Sequence, residues 1–388
     1  MPNYRQLPVP IVSPRPPDPP PSTPRVGLAL SGGGYRAAAF HLGTLTALHE
    51  LGILDEVAVL STVSGGSIIG AAWVQHLGSS DPSFETFAKA FSTFLTSATL
   101  DVPAILSGAL DPFHTDTDKL IAGYDHHLYH GATLASLPVT PVLCINATCL
   151  NTGKDWKFYR DVMGDWWFCR NRPAIPDWKS QFYPVRDVSL AVAVAASSCF
   201  APVFAPLILP SKKYFSDQAG TIPYIALADG GIYDNQGLND LFISGCTHII
   251  ASDGSKPFRI EPTPGTGQAV YVTRTSDIMM AKLRGLEFKR ALDTGKAYGT
   301  PYATLFSLDS ILPSEAKNAV ARCNIPTRLK ALSSQELEDL MTHGHALATD
   351  RVTKYLLAGG NGASVTDVIE NEHNRIEVLR PTTRAVPR

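Results

Sequence analysis

A chain of 388 residues is long enough to bury a large core, as one large α/β domain or as two smaller ones. Its 33 Lys+Arg and 35 Asp+Glu leave a formal net charge of -2, which excludes the basic footprint of a nucleic-acid binder and any overall attraction to an anionic membrane. With 44% apolar and 18% charged residues the composition is that of a globular protein, so membrane contact would have to come from a local patch.

Residues 1–24 carry ten of the 30 prolines, including Pro16-Pro17 and Pro19-Pro20-Pro21. Proline lacks a backbone donor and fixes φ, so this stretch reads as an extended, flexible leader, with one folded domain expected over 25–388. It has no basic start followed by an apolar core, and no secretory signal is read there. The apolar run 26–30 reads as a buried strand ending at Ser31-Gly32-Gly33-Gly34. Residues 37–51, rich in Ala and Leu, predict a helix that Gly52 stops. A second apolar strand, 57–60, runs through Ser61-Thr62-Val63-Ser64-Gly65-Gly66-Ser67 into a helix over 68–74. Strand–helix–strand–helix with continuous apolar strands predicts a mainly parallel central sheet with helices on both faces, an α/β fold.

Further strands are expected at 141–147, 156–159, 224–228 and 248–252, and outer helices at 278–292 and 334–357. Residues 188–210 hold no charge and could span a bilayer on length alone. Ser197, Ser198, Pro202 and Pro206 interrupt them, so a buried helix followed by a loop is the better reading. Cys144, Cys149, Cys169, Cys199, Cys246 and Cys323 show no CxxC or zinc spacing and read as buried free thiols of a reducing compartment, the cytoplasm.

The two glycine-rich turns carry the chemistry. Ser64, between Val63 and Gly65-Gly66 on a strand-to-helix turn, fits a nucleophile elbow, where small neighbours let the chain fold back and the helix N-terminus favours a developing alkoxide. The bland alternative is a serine capping a helix. Gly32-Gly33-Gly34 offers consecutive N–H groups at a helix start, a nest for an oxyanion. Arg36 then either fixes this loop or meets an acidic head group. Gly32, Gly34 and Ala37 also fit a relaxed dinucleotide fingerprint, but the next strand ends without the acidic residue that reading requires.

None of the eleven histidines stands in an obvious catalytic setting. His114, His126, His127 and His130 are explained more simply by a solvated face than by a metal site, and His343 and His345 lie in a polar helical stretch. The better base is Asp229, which leaves an apolar strand ahead of Gly230-Gly231; Asp253-Gly254 is a rival, and Asp234 lies close by. Residues 96–110 and 200–209, with Phe200, Val203, Phe204, Leu207 and Ile208, are candidate acyl-chain walls or membrane-contact surface.

Taken in order, Ser31-Gly32-Gly33-Gly34-Tyr35-Arg36, the Ser64 elbow, the small-residue block from Ala195 to Phe204 and Asp229-Gly230-Gly231 resemble the patatin-like phospholipases. The Asn146-Ala147-Thr148 stretch with its Gly153 turn is similar to that family's middle strand pair, and the likeness runs from about residue 26 to 255. The resemblance implies a three-layer α/β/α fold and a Ser64–Asp229 dyad. It also implies an oxyanion hole at Gly32, Gly33 and Gly34, lipid acyl-ester substrates, peripheral membrane contact, and no metal or organic cofactor. Two positions depart from the family pattern: Thr62 replaces the elbow's first glycine and Ala37 a glycine that often follows Arg36. A β-branched Thr62 tolerates strand-like angles only, so the strained residue of the elbow is expected to be Ser64. Two other functions use the same residues: a non-catalytic lipid-binding or scaffold relative, and an acyltransferase.

Overall fold

Alternation of side chains along short apolar strands is what divides this molecule into layers. In the computed structural model, which describes residues 25–100, 116–169, 182–185, 187–201, 203–265, 267–298, 303–312 and 322–357, β1 (Val26–Leu30), β2 (Val57–Val63) and β3 (Val142–Cys149) lie side by side and parallel. On the other edge of β1, β9 (His248–Asp253) and then β10 (Ala303–Ser307) continue the parallel sheet. Beyond β3 the pairing becomes antiparallel through β4 (Lys154–Phe158), β5 (Val162–Gly164) and β6 (Tyr183–Pro184). The antiparallel pair β7 (Leu207–Pro210) and β8 (Tyr224–Asp229) joins the sheet through β3 and completes ten strands.

A parallel strand has both faces buried, and the helices divide accordingly. The main helices are α1 (Gly34–Glu50), α2 (Gly65–Leu77), α3 (Phe84–Ser97), α4 (Asp116–Tyr124), α5 (Leu190–Ser198), α6 (Leu238–Ile243), α7 (Gln268–Tyr298) and α8 (Ser334–Val352). Leu28, Leu30 and Leu60 point into one core with Phe40 of α1, Ile68 of α2 and Leu347 of α8. Their neighbours Ala29 and Val59 point the other way, against Leu238 and Leu241 of α6 and Ala291 and Leu292 of α7. The fold is therefore the expected α/β sheet with helices on both faces.

The uncharged stretch 188–210 becomes the buried α5, a connection and then β7, and no helix among the described residues is long and apolar enough to cross a membrane. All six cysteines are buried, and no disulfide joins them. The leader, His114 and residues 101–110 lie outside the described residues. Several expected elements grow: the strand at 57–60 extends to Val63, the helix at 68–74 to Gly65–Leu77, the strand at 141–147 to Cys149, and the helix at 278–292 to the whole of α7.

One register detail positions everything that follows. β3 pairs along its first half with β2, ending at Asn146 opposite Val63. From the very next residue the same edge pairs with β8, Ala147 opposite Asp229. β2 leaves the sheet at that point, and β8, running the other way, takes up its place. The end of β2 and the end of β8 are thus brought nose to nose.

Beneath this junction β4 and α6 bury an ion cluster. Lys157 Nζ lies 2.9 Å from Asp155 Oδ2 and 3.4 Å from Asp240 Oδ1, and donates at 3.1 Å to Asn146 Oδ1. Tyr159 donates its hydroxyl to the same Asp240 carboxylate. Removing one member of a buried pair strands the others without solvent. Lys157→Met is therefore expected to lower the unfolding free energy by about 3–5 kcal/mol, read by urea denaturation. A loss below about 1 kcal/mol, the value of an exposed pair, would show that the cluster adds nothing to stability.

Candidate active site

Ser64 is the first residue beyond β2, and its backbone stands at φ 48° and ψ -114°. A non-glycine residue at positive φ is uncommon and persists only where the surroundings enforce it. Thr62, by contrast, lies in regular strand pairing between Leu30 and Ile145, so the positive φ falls on Ser64 and not on the β-branched neighbour. The serine side chain does not cap α2, although its position at the helix start would allow that. Close approach explains the glycines after it. A Cβ on Gly65 would overlap the Gly34 carbonyl, and Gly66 donates its N–H to the Ser31 carbonyl at 3.0 Å. The elbow is thereby packed directly against the first glycine-rich turn.

Asp229 ends β8 and is buried, as is Ser64, whose hydroxyl stands near enough to the Asp229 carboxyl group to lower its pKa. Burial pushes the Asp229 pKa up to about 6, against the lowering effect of the Gly231 N–H and the Ser64 hydroxyl. The Gly231 bond, 2.7 Å to Oδ1, is the turn contact expected of an Asp-Gly pair. The rival carboxylates are occupied elsewhere. Asp234 accepts N–H bonds from Gln236, Gly237 and Asn239, fixing the turn before α6. Asp253 lies 2.6 Å from Arg284 Nε and accepts from the Ser255 N–H.

The glycine triplet requires one correction to the expected oxyanion donors. Gly32 is not free to donate, because its N–H is taken by the Asn235 carbonyl at 3.0 Å. Among the described residues nothing accepts from the N–H groups of Gly33 and Gly34. Gly33 at φ 140° and Gly34 at φ 61° hold a conformation that side chains disfavour. Arg36 is buried and anchors the loop, donating from Nε to the Gly254 carbonyl at 3.2 Å and from Nη1 to the Ile325 carbonyl at 2.9 Å. Of the two roles considered for Arg36, this geometry is that of the loop contact. The methyl group of Ala37 packs beside Gly254, which has no side chain to obstruct it.

Four residues whose part here sequence reasoning missed also frame the site: Asn235, Ile325, Arg328 and Gly254, the last named only as half of the rival Asp253-Gly254 pair. Arg328 accepts the Tyr35 N–H through its carbonyl at 3.0 Å and sits over Gly34. All four act through backbone carbonyls, which leave no compositional signal; Asn235 lies six residues past Asp229. Among the described residues no histidine is hydrogen-bonded to Ser64. His41 is buried, within 3.0 Å of the Ser31 carbonyl and 2.9 Å of Ser252 Oγ, with its pKa pushed down to about 4 by burial. His343 is held between Arg322 and the Leu308 carbonyl. Among the described residues no group of three or more His, Cys, Asp or Glu is arranged to hold a metal ion.

The candidate acyl-chain wall divides. Phe204 and Leu207 are core, whereas Phe200, Val203 and Ile208 are exposed. Phe200 follows Cys199, whose carbonyl accepts the Asp229 N–H at 3.3 Å, so this exposed ring borders the site. A surface groove of about 470 Å³ between α3 and α8, lined by Lys89, Thr93 and Met341 among others, shares no residue with the constellation.

The sequence profile of the patatin-like phospholipases matches residues 28–242, over half of the chain. No curated protein matches the chain in sequence. Among solved structures, human GIVD cytosolic phospholipase A2 is similar at 13% identity with a TM-score of 0.49, over 92% of this chain and 60% of that one. The same protein in complex with methyl gamma-linolenyl fluorophosphonate matches at 14% identity and a TM-score of 0.47, over 91% of this chain and 60% of that chain. VipD from Legionella pneumophila matches at 12% identity and a TM-score of 0.38, over 86% and 67% of the two chains. This chain thus spans about 60% of the length of the human phospholipase A2 chains.

The glycine turn yields its own test. A Cβ on Gly33 would stand 2.8 Å from the Gly254 carbonyl oxygen, at a φ that L-residues avoid. Gly33→Ala is expected to destabilise the fold by about 1–3 kcal/mol, seen as a lowered midpoint in thermal or denaturant unfolding. An unchanged midpoint would mean that the turn relaxes freely and holds no fixed geometry.

Proposed function

Because this chain belongs to the patatin-like phospholipase family, we propose that it is a serine hydrolase of lipid acyl esters, with Ser64 as nucleophile and Asp229 as its base. The family match supports a lipid acyl hydrolase. The observation that carries the residue assignment is the contact of the strained Ser64 with a buried carboxyl group whose pKa is raised to about 6. A carboxylate of ordinary pKa is a feeble base at neutral pH; one desolvated to this extent is better matched to accepting a hydroxyl proton.

The chemistry proceeds in two halves. Ser64 Oγ attacks the carbonyl carbon of the ester while Asp229 accepts the hydroxyl proton. The negative charge gathers on the former carbonyl oxygen, where the N–H groups of Gly33 and Gly34 and the positive end of α1 stabilise it. Each such donor is worth about 2.7–4 kcal/mol of barrier where it has been removed. When the tetrahedral species collapses, the alcohol leaves with the proton from Asp229 and an acyl-serine remains. Water then attacks the acyl-serine, Asp229 again takes the proton, and the fatty acid departs. Phe200 and Val203, exposed on the stretch that follows Cys199, supply apolar surface for the acyl chain.

Labelling by a fluorophosphonate probe, with hydrolysis of a nitrophenyl ester in parallel, tests the nucleophile. Both are expected in wild type and absent from Ser64→Ala; a folded wild type that neither labels nor turns over would overturn the reading. Asp229→Asn is expected to reduce kcat by about 10³-fold or more, as loss of the base does in serine hydrolases. The pH profile follows from the sign of the shift. Asp229 must be ionised to accept a proton, so kcat/KM is expected to rise about tenfold per pH unit up to roughly pH 6 and to level off above it. A profile already flat at pH 5 would exclude Asp229 as the titrating base.

A further inference from the structure

The small-residue block ahead of Asp229 contains a hydroxyl that the chemistry above does not use. Ser197, in the last turn of α5, is fully buried, and its Oγ accepts the backbone N–H of Ser64 at 2.9 Å. We infer that Ser197 is a positioning residue, which holds the Ser64 backbone in its positive-φ conformation and so aims Oγ at Asp229. This rests on the reading of Ser64 as nucleophile.

The direction of the contact is fixed by counting protons among the hydroxyls of Thr62, Ser67 and Ser197. Thr62 donates to the Cys144 carbonyl at 3.0 Å, and Ser197 donates to the Asn146 carbonyl at 2.6 Å. Both carbonyls belong to β3. Ser67, on the first turn of α2, lies 3.0 Å from Thr62 Oγ1 and 2.8 Å from Ser197 Oγ and has one proton to share between them. With its own proton committed to Asn146, Ser197 presents only lone pairs to the Ser64 N–H. The strand ladder cannot supply that acceptor, because β3 ends its pairing with β2 at Val63. Ser197 therefore replaces the missing ladder bond at the residue where the chain departs from the sheet.

The same bonds link nucleophile and base. Asn146, whose carbonyl anchors Ser197, precedes Ala147, which pairs with Asp229. The Cys199 carbonyl, two residues along from Ser197, accepts the Asp229 N–H. One turn of α5 and its exit thus fix the backbone at Ser64 and at Asp229 together. Without the acceptor at residue 197, nothing else among the described residues takes the Ser64 N–H, and the strained φ loses its restraint.

The test compares Ser197→Ala, Ser197→Cys and Ser198→Ala with wild type and Ser64→Ala, using ester hydrolysis and site-resolved amide hydrogen exchange. Ser197→Ala is expected to reduce kcat about 100-fold with KM little changed, since a misplaced reacting group costs that order. Ser197→Cys preserves the shape but offers a weak acceptor, and covers the case in which the alanine variant fails to fold. It is expected to lose at least about tenfold in kcat. Among the described residues the Ser198 hydroxyl bonds to the Val194 carbonyl and the Tyr124 hydroxyl and to nothing at Ser64 or Asp229, so Ser198→Ala is expected to keep wild-type turnover. The Ser64 amide is expected to exchange at least about tenfold faster in either Ser197 variant. A folded Ser197→Ala or Ser197→Cys with kcat within about threefold of wild type, or unaltered Ser64 exchange, would overturn the inference. Exchange reads the contact whether or not the protein turns over, so an inactive wild type with responsive exchange counts against the hydrolase reading alone.

Discussion

The site depends on a change of partner along one edge of β3. Asn146 is the last residue of that edge to pair with β2, and Ala147 the first to pair with β8. Two strands cannot occupy the same edge, so where one arrives the other must leave. The departure of β2 produces a sharp turn, and the arrival of β8 delivers its terminal carboxylate beside that turn. Adjacent residues of a strand advance by only about 3.3 Å, which sets how close Ser64 and Asp229 come. Neither residue needs a flexible loop to reach the other: Asp229 is paired in the ladder with β3, and Ser64 lies one residue beyond the end of β2 in the same ladder.

A junction of this kind leaves backbone groups without ladder partners in a buried place, and leaving them unpaired is costly. Side-chain hydroxyls and amides fill the gap. Thr62 and Ser197 satisfy carbonyls of β3, Ser197 also accepts the N–H of Ser64, and Ser67 links their two hydroxyls, while Asn146 Nδ2 donates to Ser61 Oγ and to the Thr62 carbonyl. Thr62 gains meaning here. A glycine at that position would supply no hydroxyl to the Cys144 carbonyl, so the departure from the expected elbow pattern is compensated by a bond. From Asn146 the polar groups continue to Lys157 and its carboxylates, so the ion cluster braces the underside of the same junction.

The glycine-rich turn is held from a different part of the chain. Besides the Asn235 carbonyl at Gly32, its anchors are carbonyls of Gly254, Ile325 and Arg328, all three beyond residue 242, where the family match ends. Arg36 reaches two of them from inside the core, and Tyr35 the third. Residues 322–332 also bond to α3 and the residues after it: Leu332 donates to the Leu95 carbonyl, and Leu100 to that of Leu329. Movement of this segment would be felt at Gly33 and Gly34 before it reached Ser64. The unpaired N–H groups thus depend on contacts that a comparison confined to residues 28–242 cannot include.

These differences in sequence distance explain what could be read in advance. β1 and β2 were legible because both faces of each are buried and their apolar runs are continuous, and the glycines marked both turns. Ser64 and Asp229 stood out as candidates because each ends such a run beside glycines. The pairing of β8 with β3 was not legible, since Ala147 and Asp229 are far apart in the chain and nothing local to either specifies antiparallel pairing. α3 and β10 passed unnoticed for a related reason: a stretch like 84–97 has its apolar stripe of Phe84, Phe87, Phe91 and Phe94 in plain sight, but only its packing against α1 distinguishes a helix from a loop segment. Ser197 was read as a polar interruption of an uncharged run, evidence against a membrane span. A hydroxyl buried in an apolar helix has to be bonded to something, and here its partners are the backbone of β3 and of Ser64. A buried polar residue with no visible partner in sequence therefore points toward whichever backbone group the fold leaves unpaired.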